Sequence, residues 1–142
     1  MTPFCPMDRI DDQGVIPIAA AQRMIKEETV KLGYIEYMDC AHYLPGHPKC
    51  GTLHGHTYKV EIVIEGEKKN GMIMDFGDLK LVLKEVLAEY DHRSLNDFLD
   101  YPSVENIAEM LQAKLKNRLA FPFILRVWEG EGKWCEIDSR EG

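Results

Sequence analysis

The chain has 142 residues, a formal net charge of −7 and an isoelectric point near 5.2. This length suits one domain that buries most of its apolar surface. The acidic balance argues against nucleic acid or an anionic membrane as a partner, because no basic stretch offsets it. The sequence also lacks a run of about eighteen apolar residues that would span a membrane, a signal peptide and the cysteine density of a disulfide scaffold. We therefore expect a cytoplasmic protein that acts on small molecules.

The first 29 residues are predicted to be an extension that precedes the domain. They begin with a polar, proline-containing segment, and good helix formers then cluster between Ile16 and Thr29. This composition predicts a helix over residues 16–29. The domain itself is expected to occupy residues 30–142.

Two strands are predicted at the start of the domain. The first runs from about Val30 to Ala41, and the second begins at His54, where apolar and polar residues start to alternate. His56 shares the apolar parity with His54, so both rings should point to the same side of the sheet. An antiparallel pairing would bring His42, just past the first strand, close to them. Three imidazoles could then converge.

Three histidine ligands with an open fourth position are typical of catalytic zinc, whereas structural zinc usually has four protein ligands. Cys50 precedes His54 by a short turn, and two interpretations of it stay open. It is either a nucleophilic or basic thiol beside an open metal site, or the fourth ligand of a closed and inert one. His47 is the weaker candidate ligand, because a proline-flanked turn fixes its ring less well than a strand end fixes that of His42.

The second half of the chain predicts two helices followed by a hairpin. Asp75 is a plausible N-cap of an amphipathic helix that continues to about Tyr90. Ser103 is the candidate cap of a second helix that ends near Arg118. The predicted strands of the hairpin are Phe123–Glu129 and Lys133–Ile137.

The resulting order ββααββ predicts an α+β domain, in which an antiparallel sheet has both helices on one face. Four strands leave two open edges, and such edges favour pairing with another copy of the chain. We therefore expect an oligomer.

Four further residues could take part in catalysis or binding. The acid in Asp91-His92 could orient the imidazole as a proton relay, although a histidine at a helix end is also favoured by the helix dipole. Glu129 ends a strand on its apolar parity, so it either accepts two parallel N–H bonds from a planar ligand or lies where the strand has left the core. Glu105, in the first turn of the second helix, is favoured there by the dipole.

Taken together, these motifs resemble the 6-pyruvoyltetrahydropterin synthase and 6-carboxytetrahydropterin synthase family. The likeness extends from about residue 30 to the end of the chain. The motifs that carry it are Cys50-x-x-x-His54-Gly-His56, His42 in Cys-Ala-His-Tyr-Leu, Asp75-Phe76, Asp91-His92, Pro102-Ser103-Val104-Glu105-Asn106 and Val127-Trp128-Glu129.

This resemblance implies the tunnelling fold, or T-fold. In that fold the ββααββ unit forms a trimeric antiparallel barrel, two trimers stack as a homohexamer, and active sites lie between subunits. The resemblance also implies a set of roles for the residues of the site. These are zinc on His42, His54 and His56, a catalytic thiol at Cys50 with Asp91 and His92 as its relay from a neighbouring subunit, a pterin anchor at Glu129 and a position beside the ring for Glu105.

The implied substrate is 7,8-dihydroneopterin triphosphate. The leading expectation is a zinc-dependent lyase that makes 6-carboxy-5,6,7,8-tetrahydropterin, a precursor of 7-deazaguanine nucleosides (queuosine and archaeosine), and releases acetaldehyde and triphosphate. The pyruvoyl synthase is the second expectation and a lyase that makes a hydroxymethyl pterin is the third. A catalytically silent assembly that binds zinc and pterin is the non-enzymatic alternative. One departure from the family pattern is Gly130, which stands where the family commonly has threonine.

Overall fold

A computed structural model describes residues 29–141 of the chain. The four strands form one antiparallel sheet in the order β1-β2-β3-β4. Both helices and a short 3-10 helix lie between β2 and β3 in the sequence, which confirms the predicted α+β order. The elements are β1 (Thr29–His42), β2 (His54–Glu67), α1 (Phe76–Ala88), the 3-10 helix (Leu95–Asp97), α2 (Val104–Lys116), β3 (Phe123–Glu129) and β4 (Trp134–Asp138).

The predicted N-terminal helix lies outside the described residues except for Thr29, which is the first residue of β1. At its other end β1 extends one residue further than predicted. His42 is the last residue of the strand rather than the first residue after it, because the ladder with β2 continues to the pair His42↔His54. The side chain of His42 is therefore fixed by strand pairing.

The apolar parity of each strand forms the core together with the inner faces of the helices. On β2 the residues Tyr58, Val60 and Ile62 are fully buried, as alternation along the strand requires. The buried positions of the helices are Leu79, Leu83, Val86 and Leu87 on α1, and Ile107, Ala108, Leu111 and Leu115 on α2. Both helices thus cover one face of the sheet, as the sequence predicts.

Both predicted N-caps are formed, while the helices end earlier than predicted. The side chain of Asp75 accepts a hydrogen bond from the Gly77 amide at 2.7 Å, and that of Ser103 accepts one from Asn106 at 3.2 Å. α1 ends before Tyr90, whose amide donates to the Leu87 carbonyl at 3.0 Å. This shorter-range bond tightens the last turn and ends the helix. α2 likewise ends at Lys116, before Arg118.

The segment that follows α1 lies along the outer edge of β1. The His92 amide donates to the Asp39 carbonyl at 2.6 Å, and the Ala41 amide donates to the Arg93 carbonyl at 3.0 Å. These bonds occupy backbone groups that an edge strand would otherwise expose. They also fix Asp91 and His92 against the end of the sheet that carries the histidines.

None of the helices within residues 29–141 is long and apolar enough to cross a membrane.

Candidate metal centre and active site

The end of the β1–β2 ladder brings three histidine rings together. His42 is the last residue of β1, His54 is the first residue of β2, and His56 follows on the same face. The three ring centroids are 4.6 to 5.0 Å apart, and one ligand nitrogen of each ring lies within 4.8 Å of the others. His42 is buried and the other two are half-buried. The group could hold a metal ion.

Hydrogen bonds to backbone carbonyls fix the tautomers of two of these rings. Nδ1 of His42 lies 2.8 Å from the Pro102 carbonyl oxygen, and Nδ1 of His54 lies 2.7 Å from the Thr52 carbonyl oxygen. A carbonyl oxygen can only accept, so each Nδ1 carries the hydrogen and donates. The lone pair of each neutral ring is then on Nε2. Ligand histidines in metal sites almost always donate their other nitrogen in this way.

His56 supplies the third nitrogen. Its Nε2 atom is buried and has no hydrogen-bond partner among the described residues. The nearest carboxylate oxygen, Oε1 of Glu129, lies at 3.5 Å, which is too long for a normal hydrogen bond. Burial lowers the pKa of His56, the Glu129 carboxylate opposes this shift, and the charges of His42 and His54 add to it. A neutral imidazole with an unsatisfied buried nitrogen is suited to a divalent cation.

Tyr58 is part of this site, although the sequence analysis did not select it. Its hydroxyl lies 3.2 Å from Nδ1 of His42, and its side chain is fully buried. In the β2–β3 register Tyr58 stands opposite Glu129. Burial raises the pKa of the phenol well above its usual value and the Glu129 charge raises it further, so the hydroxyl stays protonated at neutral pH. The only signal in the sequence was its parity, which continues that of His54 and His56.

Cys50 lies in the loop that joins β1 to β2, and its side chain is half-buried. Among the described residues, its sulfur is not one of the ligand atoms that cluster within 4.8 Å at the three histidines. Within one chain, the structure therefore brings the three histidines together without Cys50.

The side chains of Asp91 and His92 are in contact at the outer edge of β1, with Oδ2 of Asp91 2.9 Å from Nδ1 of His92. The other oxygen of Asp91 accepts the Asp39 amide at 2.8 Å. The Asp39 amide is the main reason that the pKa of the Asp91 carboxyl is lowered, and His92 contributes further. The His92 side chain is 76% exposed. The structure groups this pair with Asp39 and does not bring it into the histidine cluster of the same chain.

Asp39 and Thr57 lie beside Asp91 and His92 and were missed by the sequence analysis. The Thr57 hydroxyl donates to Oδ1 of Asp39 at 2.5 Å. Both residues line an open groove of about 520 Å³ together with His56, His92 and Arg93. Asp39 and Thr57 have the parity of the polar face, so the alternation used to find the metal ligands gave no reason to select them.

The two predicted substrate-binding carboxylates lie in different places. Glu129 ends β3, and its side chain is only 15% exposed, so the strand has not left the core at this point. Lys133 Nζ lies 3.5 Å from Oε1 of Glu129, on the side away from β2. Glu105 is exposed in the first turn of α2. Burial raises the pKa of Cys135 on β4, and the Glu105 charge adds to this. Glu105 does not belong to the group of ligand atoms at the three histidines.

The chain matches the family described as 6-pyruvoyl tetrahydropterin synthase over residues 32–140. It is 44% identical over 112 residues to a protein of Archaeoglobus fulgidus provisionally named 6-carboxy-5,6,7,8-tetrahydropterin synthase, a match that covers 78% of this chain and 97% of that protein. It is 42% identical over 89 residues to the dihydroneopterin monophosphate aldolase of Pyrococcus furiosus, which covers 61% and 78% of the two chains.

The fold is similar to that of solved T-fold structures. The match to the structure of Caenorhabditis elegans 6-pyruvoyl tetrahydropterin synthase has a TM-score of 0.73 at 23% identity, and it covers 81% of this chain and 99% of that chain. The four-stranded sheet with two helices on one face is therefore a T-fold unit.

Proposed function

The chain belongs to the 6-pyruvoyl tetrahydropterin synthase family, and we propose that it converts 7,8-dihydroneopterin triphosphate to 6-carboxy-5,6,7,8-tetrahydropterin. Acetaldehyde and triphosphate are the other products. The observation that carries this proposal is the histidine cluster, in which two rings donate Nδ1 to carbonyls and the third leaves a buried Nε2 unsatisfied. These rings are held in the form that binds a metal, at a position that also contains Tyr58 and Glu129.

The reaction balances without an external oxidant or reductant. The triphosphate leaves by cleavage of its bond to the last side-chain carbon, and one water supplies the oxygen and hydrogens that complete the products. The two outer carbons depart as acetaldehyde, which is more reduced than the hydroxyl-bearing and phosphate-bearing carbons from which it forms. The carbon that stays on the ring is oxidised to the carboxylate, and the electrons that it loses reduce both the two-carbon fragment and the C=N bond of the dihydro ring, which becomes the tetrahydro ring. The protein therefore has to move protons and does not have to supply electrons.

The proposed metal is zinc, held by His42, His54 and His56. Three neutral imidazoles with a free coordination position are the usual donor set of catalytic zinc. When bound, zinc supplies Lewis acidity, which makes the protons next to a coordinated hydroxyl or carbonyl more acidic. The carbonyls that accept from His42 and His54 keep these rings oriented before the ion arrives.

We assign proton transfer to Cys50 and to the Asp91–His92 pair. Asp91 accepts from His92 and from the Asp39 amide, and together these bonds hold the imidazole in one orientation. His92 is largely exposed in the single chain and lies apart from the histidine cluster. An exposed relay of this kind is suited to act on the thiol and substrate held by a neighbouring subunit.

We assign the pterin anchor to Glu129. A half-buried carboxylate at the rim of the cluster can accept two parallel N–H bonds, and a pterin offers such a pair at its 2-amino group and N3. The proximity of Glu129 to His56 would place the ring beside the metal. Glu105, which is exposed in the first turn of α2, is a second candidate contact with the ring.

A homohexamer of two stacked trimers is the proposed assembly. The face of the sheet that the helices leave open carries large apolar side chains in contact with solvent. Tyr37 is 57% exposed and Trp134 is 48% exposed. Exposed aromatic residues on an uncovered sheet favour burial against further copies of the sheet. The subunit interfaces would then bring Asp91 and His92 of one chain to Cys50 of another.

Two alternative reactions start from related substrates. The pyruvoyl synthase reaction eliminates triphosphate and keeps all side-chain carbons on the pterin. An aldol cleavage would break the bond between the first two side-chain carbons, giving a hydroxymethyl pterin and a two-carbon aldehyde that carries the phosphate. The aldolase alternative is favoured by the identity to the Pyrococcus furiosus relative. The three reactions differ in what becomes of the two terminal carbons.

The test is an incubation of the zinc-loaded protein with 7,8-dihydroneopterin triphosphate, followed by assay of acetaldehyde and mass analysis of the pterin. Acetaldehyde together with the carboxy pterin is the expected result. A pyruvoyl pterin without released aldehyde would instead support the pyruvoyl synthase. Release of a phosphorylated two-carbon aldehyde, from this substrate or the monophosphate, would support the aldolase. Zinc binding without turnover of either substrate would support a silent assembly.

A further inference from the structure

His47 is the one histidine that neither the metal cluster nor the proton relay uses. It lies in the loop between β1 and β2 that also carries Cys50. Its Nδ1 atom accepts a hydrogen bond from the Cys50 amide at 2.9 Å and a second from the Lys49 amide at 3.1 Å. Two hydrogen bonds therefore hold the ring, although we expected a proline-flanked turn to fix it less well than a strand end fixes that of His42.

Backbone hydrogen bonds within the loop also involve His47 and Cys50. The Leu44 amide donates to the Cys50 carbonyl at 2.6 Å, and the His47 amide donates to the Leu44 carbonyl at 3.0 Å. The Gly51 amide donates to the His47 carbonyl at 3.1 Å. A Cβ atom at Gly51 would come within 2.7 Å of that carbonyl oxygen, so no larger residue fits without moving the backbone. Both peptide groups of Cys50 are thus bonded within the loop.

The chemistry of these contacts requires an acceptor at Nδ1. An amide hydrogen needs a lone pair, so the neutral ring of His47 carries its hydrogen on Nε2. Bonds from a side-chain acceptor to the amides two and three residues later are those that asparagine and aspartate make at turns. His47 thus makes the hydrogen bonds that an asparagine side chain makes at a turn, with Nδ1 of the ring as the acceptor.

We propose that His47 is a positioning residue for Cys50, which fixes the backbone of the thiol-bearing residue by accepting its amide and that of Lys49. The loop then holds the Cys50 backbone, and the sulfur attached to it, in one position. The catalytic consequence rests on the proposed function, because it assumes that Cys50 is the thiol that moves protons. The effect on the loop and on the reactivity of the thiol does not depend on that function.

Three variants separate the acceptor from the ring. His47→Ala removes both. His47→Asn keeps an acceptor, because its Oδ1 is attached to Cγ in the same way as Nδ1 of the imidazole. Lys49→Ala alters an exposed neighbouring side chain but keeps the backbone donor, and it is the matched control. All three are prepared as the full-length, zinc-loaded protein.

Two measurements are made on each variant. The first is the rate at which iodoacetamide alkylates Cys50 in the absence of substrate, followed by peptide mass spectrometry with Cys135 as the internal reference. The second is kcat and KM for the substrate that the protein turns over. We expect Cys50 of His47→Ala to be alkylated at least about threefold faster than in the wild type, because the loop can move and expose the half-buried sulfur. The same variant should lose about tenfold or more in kcat with little change in KM. His47→Asn and Lys49→Ala should stay within about twofold of the wild type in both.

The outcomes are distinguishable. Alkylation of Cys50 at or below the wild-type rate in His47→Ala would overturn the proposal, and so would a His47→Asn variant that behaves as His47→Ala. If the wild type binds zinc but turns over no pterin, the proposed function fails. The alkylation rates of the variants relative to the wild type then still decide the role of His47. A rise in KM with unchanged kcat in His47→Ala would assign the loop to substrate binding and also overturn the proposal.

Discussion

The Nε2 atoms of His42 and His54 lie 3.0 Å apart across the terminal pair of the β1–β2 ladder. Both rings donate Nδ1 to backbone carbonyls, so in their neutral forms two lone pairs face each other. That arrangement is unfavourable until a cation is shared between them. A metal ion bound there removes the repulsion and ties the ends of β1 and β2 together.

The first prediction concerns the metal and the stability of the fold. We expect the purified protein to contain zinc and to unfold at a lower temperature after chelation, since an ion that binds only the folded state stabilises it by about 2.7 kcal/mol at a hundredfold excess over Kd. His54→Ala should lose both the metal and this stabilisation. The measurements are elemental analysis and thermal unfolding with and without a chelator.

The control for the metal prediction is His47→Asn, which removes a histidine that lies outside the cluster. It should keep its metal content. Full zinc occupancy in His54→Ala, or an unfolding temperature of the wild type that does not respond to zinc, would contradict the assignment of the three ligands.

The second prediction separates the thiol from the metal. Cys50→Ala should retain zinc and assembly state but lose about a hundredfold or more in kcat, the usual contribution of a positioned proton-transfer group. Cys135→Ala, a half-buried thiol on β4, is the matched control and should keep its activity. The measurements are zinc content, size-exclusion chromatography and turnover. Loss of zinc in Cys50→Ala would instead indicate that the sulfur is a ligand in the assembled protein.

Much of the fold could be predicted from periodicity alone. Alternation from His54 onward defined β2 and its buried face, and the stripes that follow Asp75 and Ser103 defined both helices, because burial on one face imposes these patterns. The ends of elements were less accurate. Whether His42 belongs to β1 depends on a cross-strand partner, and the end of α1 depends on a carbonyl within its last turn. Neither is a property of the local sequence.

The sequence likewise predicts some residues of the site but not the contacts that orient them. The three ligand histidines could be found because strand parity put two of them on one face and antiparallel pairing brought the third beside them. The carbonyls of Thr52 and Pro102 could not be found, because every residue carries a carbonyl and only the fold selects these two. The role of His47 could not be predicted from the sequence either, since its partners are backbone amides.

The third prediction concerns recognition of the pterin ring. Glu129→Gln should weaken binding of neopterin, an unphosphorylated analogue, by about tenfold to a hundredfold, because a charged hydrogen-bonding group contributes about 1.5–3 kcal/mol and an amide cannot accept both N–H bonds. Glu131→Gln, an exposed acid just beyond the strand, is the control and should bind normally. The affinity is measured by fluorescence titration. Equal affinities in both variants would mean that the ring is anchored elsewhere.

The fourth prediction concerns pH. The pKa of Asp91 in the folded protein lies below its ordinary value of 3.8, chiefly because its carboxylate accepts the Asp39 amide. A lowered carboxyl pKa stabilises the fold at pH values above 3.8, and this contribution is lost as the pH falls through the folded-state value. The side chain is 38% exposed, so solvent screening limits its contribution to less than about 1 kcal/mol.

Asp91→Asn should therefore unfold at a lower temperature than the wild type near about pH 7 and about pH 5, and the difference should shrink below about pH 4 as the wild-type carboxylate is protonated. Asp100→Asn, which removes one exposed acid, is the control for the change in net charge. Thermal unfolding of the three proteins across this range is the measurement. A difference between Asp91→Asn and the wild type that does not shrink as the pH falls below 3.8 would show that the Asp91 charge is not what stabilises the loop.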